Sequence, residues 1–261
     1  MLWGAILGDI VGSVYEYERI KTKDFPLFDG RCRPTDDTFM TIAIALGVHN
    51  GGGAKNYADE MRRIGRLYPD AGYGVQFGEW LSDDDMHAHN SFGNGAAMRV
   101  SPVAYFPNAD LARVRYEAEQ SAIPTHNHPE GVKGAVATAT AVFLARQGRT
   151  KREIRDFIEE EYGYDLDRTL EQIRPNYEFK ETCQETVPQA IIAFLEGDNF
   201  EDAIRNAVSL GGDSDTLATI AGSIAEPFYG IPEYIIKRAR EFLDDKILGV
   251  IDKLEANSND R

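Results

Sequence analysis

Two short clusters of carboxylates and hydroxyls, far apart in the chain, are the residues best suited to chemistry: Thr35-Asp36-Asp37-Thr38 and Gly211-Gly212-Asp213-Ser214-Asp215-Thr216. Each leads straight into an apolar, helix-like run, Phe39 to Val48 in the first case and Leu217 to Ile224 in the second. Both are therefore expected at helix N-termini, where Asp, Ser and Thr cap unpaired backbone N–H groups and the helix dipole favours negative charge. One cap needs only one such residue. Close pairs of acids in two places, if a fold brings them together, make an all-oxygen nest for a hard divalent cation such as magnesium, manganese or calcium. Like charges about 4 Å apart repel by roughly 4 kcal/mol even at an effective dielectric near 20, so four clustered carboxylates need a cation. The plainer alternative is two independent capping turns. Repetition of the pattern, each time before a helix rich in small residues, favours the shared site.

Other polar groups are weighed against these clusters. Asp83-Asp84-Asp85 follows an amphipathic stretch with Trp80 and Leu81 and leads into polar residues, so it reads as a solvated loop. Asp9, in an apolar first helix beside Gly8 and Gly12, is expected to be buried close to the metals as a supporting group. His87 and His89 read as surface histidines. Together with His126 and His128 they do not make a zinc site, because both cysteines are remote from these pairs. Gly93-Asn94-Gly95 precedes an apolar helical run; standing alone it is an ordinary turn, although its backbone N–H groups could meet a diphosphate.

Helical periodicity dominates wherever a period is visible, and strand-length alternation is missing, which predicts an all-α fold. Candidate helices cover residues 2–15, 37–49, 55–67, 73–81, 94–104, 109–122, 130–147, 151–161, 184–196, 200–210, 215–229 and 232–253. Three segments, Thr38 to Val48, Gly131 to Ala145 and Thr216 to Ala225, are apolar around most of their circumference and rich in small residues, so they belong in the middle of a bundle. The acid clusters thus open two central helices, where a bundle would place a metal site. A single domain is expected over residues 1–253, with a polar, frayed tail from Glu255 to Arg261. The aperiodic segment from Tyr17 to Pro34 is long enough for a lid or binding loop.

Composition excludes several function classes. With 261 residues, 43% hydrophobic and 27% charged, the chain can bury a full core. Its formal charge of -15 opposes unspecific attraction to nucleic acid or an anionic membrane, so any phosphate-bearing ligand must be held locally. Cys32 and Cys183, the only cysteines, read as a reduced intracellular pair. The apolar start lacks a basic leader and reaches Asp9 early, and no segment approaches the length of a membrane span, so a cytoplasmic location is expected.

The motifs together resemble the ADP-ribosylglycohydrolase family, the group that includes the dinitrogenase reductase-activating glycohydrolase and the ADP-ribosyl-arginine and ADP-ribosyl-serine hydrolases. The resemblance spans nearly the whole chain. It runs through Gly4-Ala5-Ile6-Leu7-Gly8-Asp9-Ile10-Val11-Gly12-Ser13-Val14-Tyr15-Glu16, Thr35-Asp36-Asp37-Thr38, Ser91-Phe92-Gly93-Asn94-Gly95-Ala96-Ala97-Met98-Arg99, Thr125-His126 and Gly211-Gly212-Asp213-Ser214-Asp215-Thr216, in the family's order. What it implies is a compact orthogonal multi-helix bundle whose central dinuclear site holds two Mg2+, or Mn2+, at the bottom of an ADP-ribose cleft. By matching position the metal ligands would be Glu16, Thr35, Asp36, Asp37, Asp213, Asp215 and Thr216. Ser214 stands at a position that varies in the family. Ser91, Phe92, Gly93, Asn94, Gly95, Met98 and His126 become candidates for the substrate pocket, with Phe92 either stacking on adenine or ribose or stapling the helix start, and His126 near the phosphates or capping a helix.

The implied reaction is cleavage of the glycosidic bond at ribose C1'', releasing ADP-ribose from a modified protein side chain, arginine or serine, or a related acceptor. Its oxocarbenium-like state needs carboxylates to stabilise positive charge and activate water, and metal ions can orient the ribose hydroxyls. Glu16, Asp37 and Asp213 are the expected catalytic groups. Spacing does not say which is the base; a metal-bound carboxylate is a poorer base than a free one, which favours Glu16. Two other readings stand beside this one: a catalytically silent ADP-ribose-binding relative, disfavoured because no acid is missing, and a metal-dependent pyrophosphohydrolase. The expected partner is an ADP-ribosylated protein or small conjugate, with nucleic acid only as an ADP-ribosylated acceptor, and a monomer needs no further assumption.

Overall fold

A computed structural model describes residues 2–259 and contains fourteen α-helices and one short 3-10 helix, with no strand among the described residues. In chain order the helices are α1 (Trp3–Gly12), α2 (Asp36–His49), α3 (Ala54–Leu67), α4 (Val75–Ser82), α5 (Gly95–Met98), α6 (Leu111–Ala122), α7 (Pro129–Arg146), α8 (Lys151–Tyr162), α9 (Leu170–Ile173), α10 (Cys183–Leu195), α11 (Phe200–Val208), α12 (Ser214–Tyr229), α13 (Glu233–Arg240) and α14 (Asp245–Asn259). The all-α expectation holds. No helix among the described residues is long and apolar enough to cross a membrane.

The three small-residue segments do lie inside, within α2, α7 and α12, and α1 joins them with every residue buried. α12 is the hub: α1, α11, α10, α7 and α5 all pack on it, and α1 makes the most extensive pairing. Glycines set that pairing. A Cβ on Gly4 would lie 2.2 Å from the Gly222 carbonyl oxygen, one on Gly8 2.2 Å from the Ala218 carbonyl oxygen, and one on Gly12 2.5 Å from Asp215 Cα. Spaced four apart, these residues form one helix face on which backbone meets backbone. The amphipathic helices α3, α8, α11 and α13 enclose this centre with one face buried and one in solvent.

Three predicted elements differ from what forms. The expected helix over 94–104 breaks after Met98 into α5 and a 3-10 helix, Ser101–Tyr105, because Pro102 has no N–H to continue an α-helical ladder. The amphipathic run expected over 232–253 divides at Phe242–Asp244, where the Asp244 carboxylate accepts the Ile247 N–H at 2.9 Å and starts α14. The tail expected to fray from Glu255 is instead helical to Asn259: Leu254 is buried, and the Trp3 indole N–H donates to Glu255 at 2.7 Å. Asp260 and Arg261 lie outside the described residues.

The segment from Tyr17 to Pro34 is irregular, as its composition suggests. Lys21 Nζ nevertheless donates to the carbonyls of Tyr177 and Leu210, and Arg205 donates to the carbonyls of Lys23 and Phe25 at 2.9 and 2.7 Å. The loop is thereby anchored to the chain around α11.

Since Gly8 offers no space for a methyl group against the α12 backbone, Gly8→Ala should destabilise the protein by about 3 kcal/mol or more. Urea denaturation followed by circular dichroism checks this; a midpoint equal to that of the parent protein would contradict the backbone contact.

Candidate active site

The first acid cluster is positioned by α1. Asp9, fully buried, accepts the N–H groups of Thr35 and Thr38 at 2.8 and 3.0 Å on one oxygen and the Thr35 hydroxyl at 2.7 Å on the other. Thr35 in turn accepts the Asp37 N–H at 3.4 Å, so a carboxylate from α1 and a hydroxyl together cap α2. At the second cluster Asp213 precedes α12, and the Ser214 hydroxyl, fully buried, donates to the carbonyls of Tyr15 and Gly212 at 3.2 and 3.3 Å. Ser214 thus ties the start of α12 to the residue before Glu16, a role its type alone does not announce.

Two overlapping groups of acids result: Asp9, Asp37 and Asp215, and Glu16, Asp213 and Asp215, with the offered oxygens in each group within 4.8 Å of one another. Asp215 belongs to both. The Thr216 hydroxyl donates to Asp37 at 3.3 Å, and the Asn94 amide donates to Asp213 at 2.7 Å and to Thr186 at 3.2 Å. Apart from Asp9, these acids line a cleft of about 650 Å³ together with Asp36, Thr216, Ser91, Gly93, Asn94, Gly95, Met98 and His126.

Electrostatics mark the cluster as overloaded with negative charge. Burial first, and then Asp9, Asp213 and Glu16, push the Asp36 carboxyl up to about 8. Burial and the neighbouring acids raise Asp37 and Asp215 well above the ordinary carboxylate range, and burial raises Asp9, Glu16 and Asp213. Asp213 and Asp215 also act on each other, the Asp213 charge raising the Asp215 carboxyl. Asp37 Oδ1, also buried, has no hydrogen-bond partner. An all-carboxylate donor set with an orphaned buried oxygen fits a hard divalent cation, which would take the place of the protons.

Several expected site residues sit differently from their motifs' suggestion. Thr35 does not reach the cleft, because its hydroxyl is engaged with Asp9 and the Asp37 N–H. Asp36 is half-buried in the cleft wall but belongs to neither tight group; Asp37, one residue on, is buried and joins Asp9 and Asp215. Asp9 is nearer the acids than a mere neighbour, but its oxygens already accept three hydrogen bonds, which suits it to holding α2. Phe92 is 44% exposed, lies outside the cleft lining and packs its ring 5.2 Å from that of His128. The N–H groups of Gly93 and Asn94 are engaged by Ser91 Oγ and the Glu181 carbonyl at 3.1 and 2.7 Å, so they are not free to cradle a diphosphate.

The histidines divide in an unexpected way. His128, not His126, caps α7, accepting the Glu130 N–H at 3.1 Å. His89, expected on the surface, lines the cleft with its ring 6.1 Å from that of His126; His87 is exposed. Arg99, buried to 1% exposure, donates to the Thr125 hydroxyl at 2.8 Å, and that hydroxyl lies 2.7 Å from His126 Nδ1. The Nδ1 atom is thus engaged by Thr125, and the other ring nitrogen, Nε2, faces Gly93 and Gly95. Burial, and then Arg99 and His89, hold His126 well below the ordinary imidazole range, so the ring that lines the cleft is neutral. Tyr73, Phe77, Arg99, Phe179 and Glu181 also line the cleft; of these only Arg99 falls within a motif of the sequence, and Tyr73, expected to start a helix, stands instead between Gly72 and Gly74.

A sequence profile described as ADP-ribosylglycohydrolase matches residues 1–261. The chain belongs to the ADP-ribosylglycohydrolase family. Among its relatives, ADP-ribosylhydrolase ARH3 of Gallus gallus is 29% identical over 88% of this chain and 84% of the relative, and that of Homo sapiens 29% over 89% and 85%. ADP-ribosylarginine hydrolase Tri1 of Pseudomonas putida is 26% identical over 91% of this chain and 73% of the relative. A solved structure described as an ADP-ribosylglycohydrolase-related protein complex superposes with a TM-score of 0.68 at 24% identity, covering 92% of each chain, and shows the shared fold. This family member is accordingly an ADP-ribosylglycohydrolase enzyme.

The raised carboxyl values of the ADP-ribosylglycohydrolase fix the sign of a pH effect. A group whose pKa rises on folding stabilises the fold below its unfolded value, near 3.8 for Asp36, and loses that contribution as pH climbs through about 8. In chelator the melting temperature should therefore fall between pH 5 and pH 8, and added Mg2+ or Mn2+ should restore it most at the alkaline end. A thermal-shift titration across pH, with and without metal, measures this; a metal effect independent of pH would contradict it.

Proposed function

We propose that the protein is a divalent-metal-dependent hydrolase that cleaves the glycosidic bond at ribose C1'' and frees ADP-ribose from an ADP-ribosylated protein side chain or a related acceptor. The observation that carries this reading is the pair of acid groups that share Asp215, a residue of the cleft wall. Asp37 and Asp215, and Glu16, Asp213 and Asp215, are the residues that would hold two ions, Mg2+ or Mn2+. Such ions would supply charge to orient ribose hydroxyls and acidify a bound water.

The chain's own residues supply the rest. Asn94, hydrogen-bonded to Asp213, fixes the orientation of that carboxylate, and Thr216 does the same for Asp37. Aligned acids around C1'' stabilise the positive charge of an oxocarbenium-like state. Glu16 begins the irregular segment, is half-buried, has its carboxyl raised chiefly by burial and hydrogen-bonds Tyr17. It is the acid best placed to hold and return a proton, because its carboxylate belongs to a loop rather than to a helix terminus. His126 Nε2 and the buried Arg99 beside it offer nitrogen groups to the anionic part of the ligand. The relative named as an ADP-ribosylarginine hydrolase supports an arginine-linked substrate, and those named as ADP-ribosylhydrolases support an ADP-ribosyl substrate without naming its linkage.

Incubation with arginine-linked and serine-linked ADP-ribosyl peptides should release free ADP-ribose, and chelator should abolish release. Asp215→Asn and Asp37→Asn should each lower the rate by about 100-fold or more. In chelator both variants should melt at or above the parent temperature, since they remove charge from a repulsive cluster. AMP with ribose phosphate as products would indicate pyrophosphate cleavage, and unchanged rates in both variants would overturn the assignment of the acids.

A further inference from the structure

Four buried polar atoms of cleft-lining residues have no hydrogen-bond partner: Asp37 Oδ1, the Tyr73 hydroxyl, His89 Nδ1 and Arg99 Nε. The first belongs to the candidate metal centre, and the last two lie with His126 among the nitrogen groups. The Tyr73 hydroxyl has no part in the scheme above. It stands on a turn between Gly72, at φ +105, and Gly74, and its ring lies 5.6 Å from that of Phe77. The turn is tied to the acids: the Asp36 N–H donates to the Ala71 carbonyl at 3.0 Å, and a Cβ on Gly72 would sit 3.6 Å from Asp36 Oδ1. Burial, and then Asp36, raise the phenol above its ordinary range, so it keeps a proton to donate.

A buried donor without an acceptor is a cost to the free protein that a bound acceptor removes. Because Tyr73 neighbours Asp36, the acceptor nearest to it in a bound ADP-ribosyl group is on the sugar that meets the acids. We propose that Tyr73 is a substrate-contacting residue whose hydroxyl donates a hydrogen bond to an oxygen of the distal ribose, the ring bearing C1''. This assignment rests on the function proposed above. No chemical step is assigned to the phenol; it holds the ring in register with the acids.

Isothermal titration of the full chain in magnesium buffer, with ADP-ribose and with ADP as probes, tests it on the parent protein and Tyr73→Phe. ADP carries the adenosine and diphosphate but lacks the distal ribose. Tyr73→Phe should bind ADP-ribose about tenfold more weakly while its affinity for ADP is unchanged. Its melting temperature without ligand should equal or exceed the parent's, because the variant removes an unpartnered polar atom; a structural role would lower it. Unchanged ADP-ribose affinity, an equal loss for ADP, or a lowered melting temperature would each overturn the assignment and leave the proposed function standing. Failure of the parent protein to bind ADP-ribose would remove both.

Discussion

The close contact of α1 with α12 is the constraint on which the site depends. Gly4, Gly8 and Gly12 leave no side chain between the two backbones, so Asp9 and Glu16 are carried to the N-terminus of α12, where Asp213 and Asp215 stand. Asp9 then reaches across to the N–H groups of Thr35 and Thr38 and brings the start of α2 into the same place. Three chain segments separated by most of the sequence meet through one glycine face and one buried carboxylate. A methyl group in the first contact, or loss of the second, would move acids that must lie within hydrogen-bonding distance of a common centre.

That convergence is electrostatically unfavourable by itself. Helix N-termini offset part of the charge, and hydrogen bonds from Asn94, Thr216 and the α2 backbone offset more. The remainder shows as carboxyl groups that hold protons near neutrality, with Asp36 at about 8. A divalent cation held by these acids would take the place of the protons and relieve that repulsion. The nitrogen groups of the cleft are arranged differently. Arg99 is buried with no carboxylate bonded to it, pushed down to about 10, and donates to Thr125, whose hydroxyl lies against a neutral His126. A cleft with carboxylates on some elements and neutral or cationic donors on others suits a ligand that has a sugar to react and a diphosphate to anchor it.

Surface charge outside the cleft behaves as ordinary solvated charge. Asp84, from the third acidic run, pairs with Arg66 and Arg62 in an exposed loop, and its carboxyl is lowered by Arg66, in contrast to the acids of the cleft. Three successive aspartates are thus no more metal-like than one when water surrounds them; burial makes the difference.

Local interactions were legible in the sequence because they act within a few residues. The cap at Thr35, the start of α12 after Asp213, the apolar runs that follow, the small residues of α2, α7 and α12, and the absence of strand alternation all depend on neighbours at positions up to four apart. Breaks inside long runs were harder to see, since Pro102 and Asp244 interrupt patterns that otherwise stay helical. Which acids share an oxygen cluster was decided only in three dimensions: Asp36 and Asp37 are adjacent in sequence and both line the cleft, yet only Asp37 joins Asp9 and Asp215. The same holds for His89, Tyr73 and the engaged N–H groups of Gly93 and Asn94, whose partners come from other elements. The chain by itself determined which residues could bind and react, because that is a matter of side-chain chemistry and helix ends. Only the tertiary structure decided which of them meet, because distances between remote segments follow from how helices cross, and no local pattern encodes the crossing.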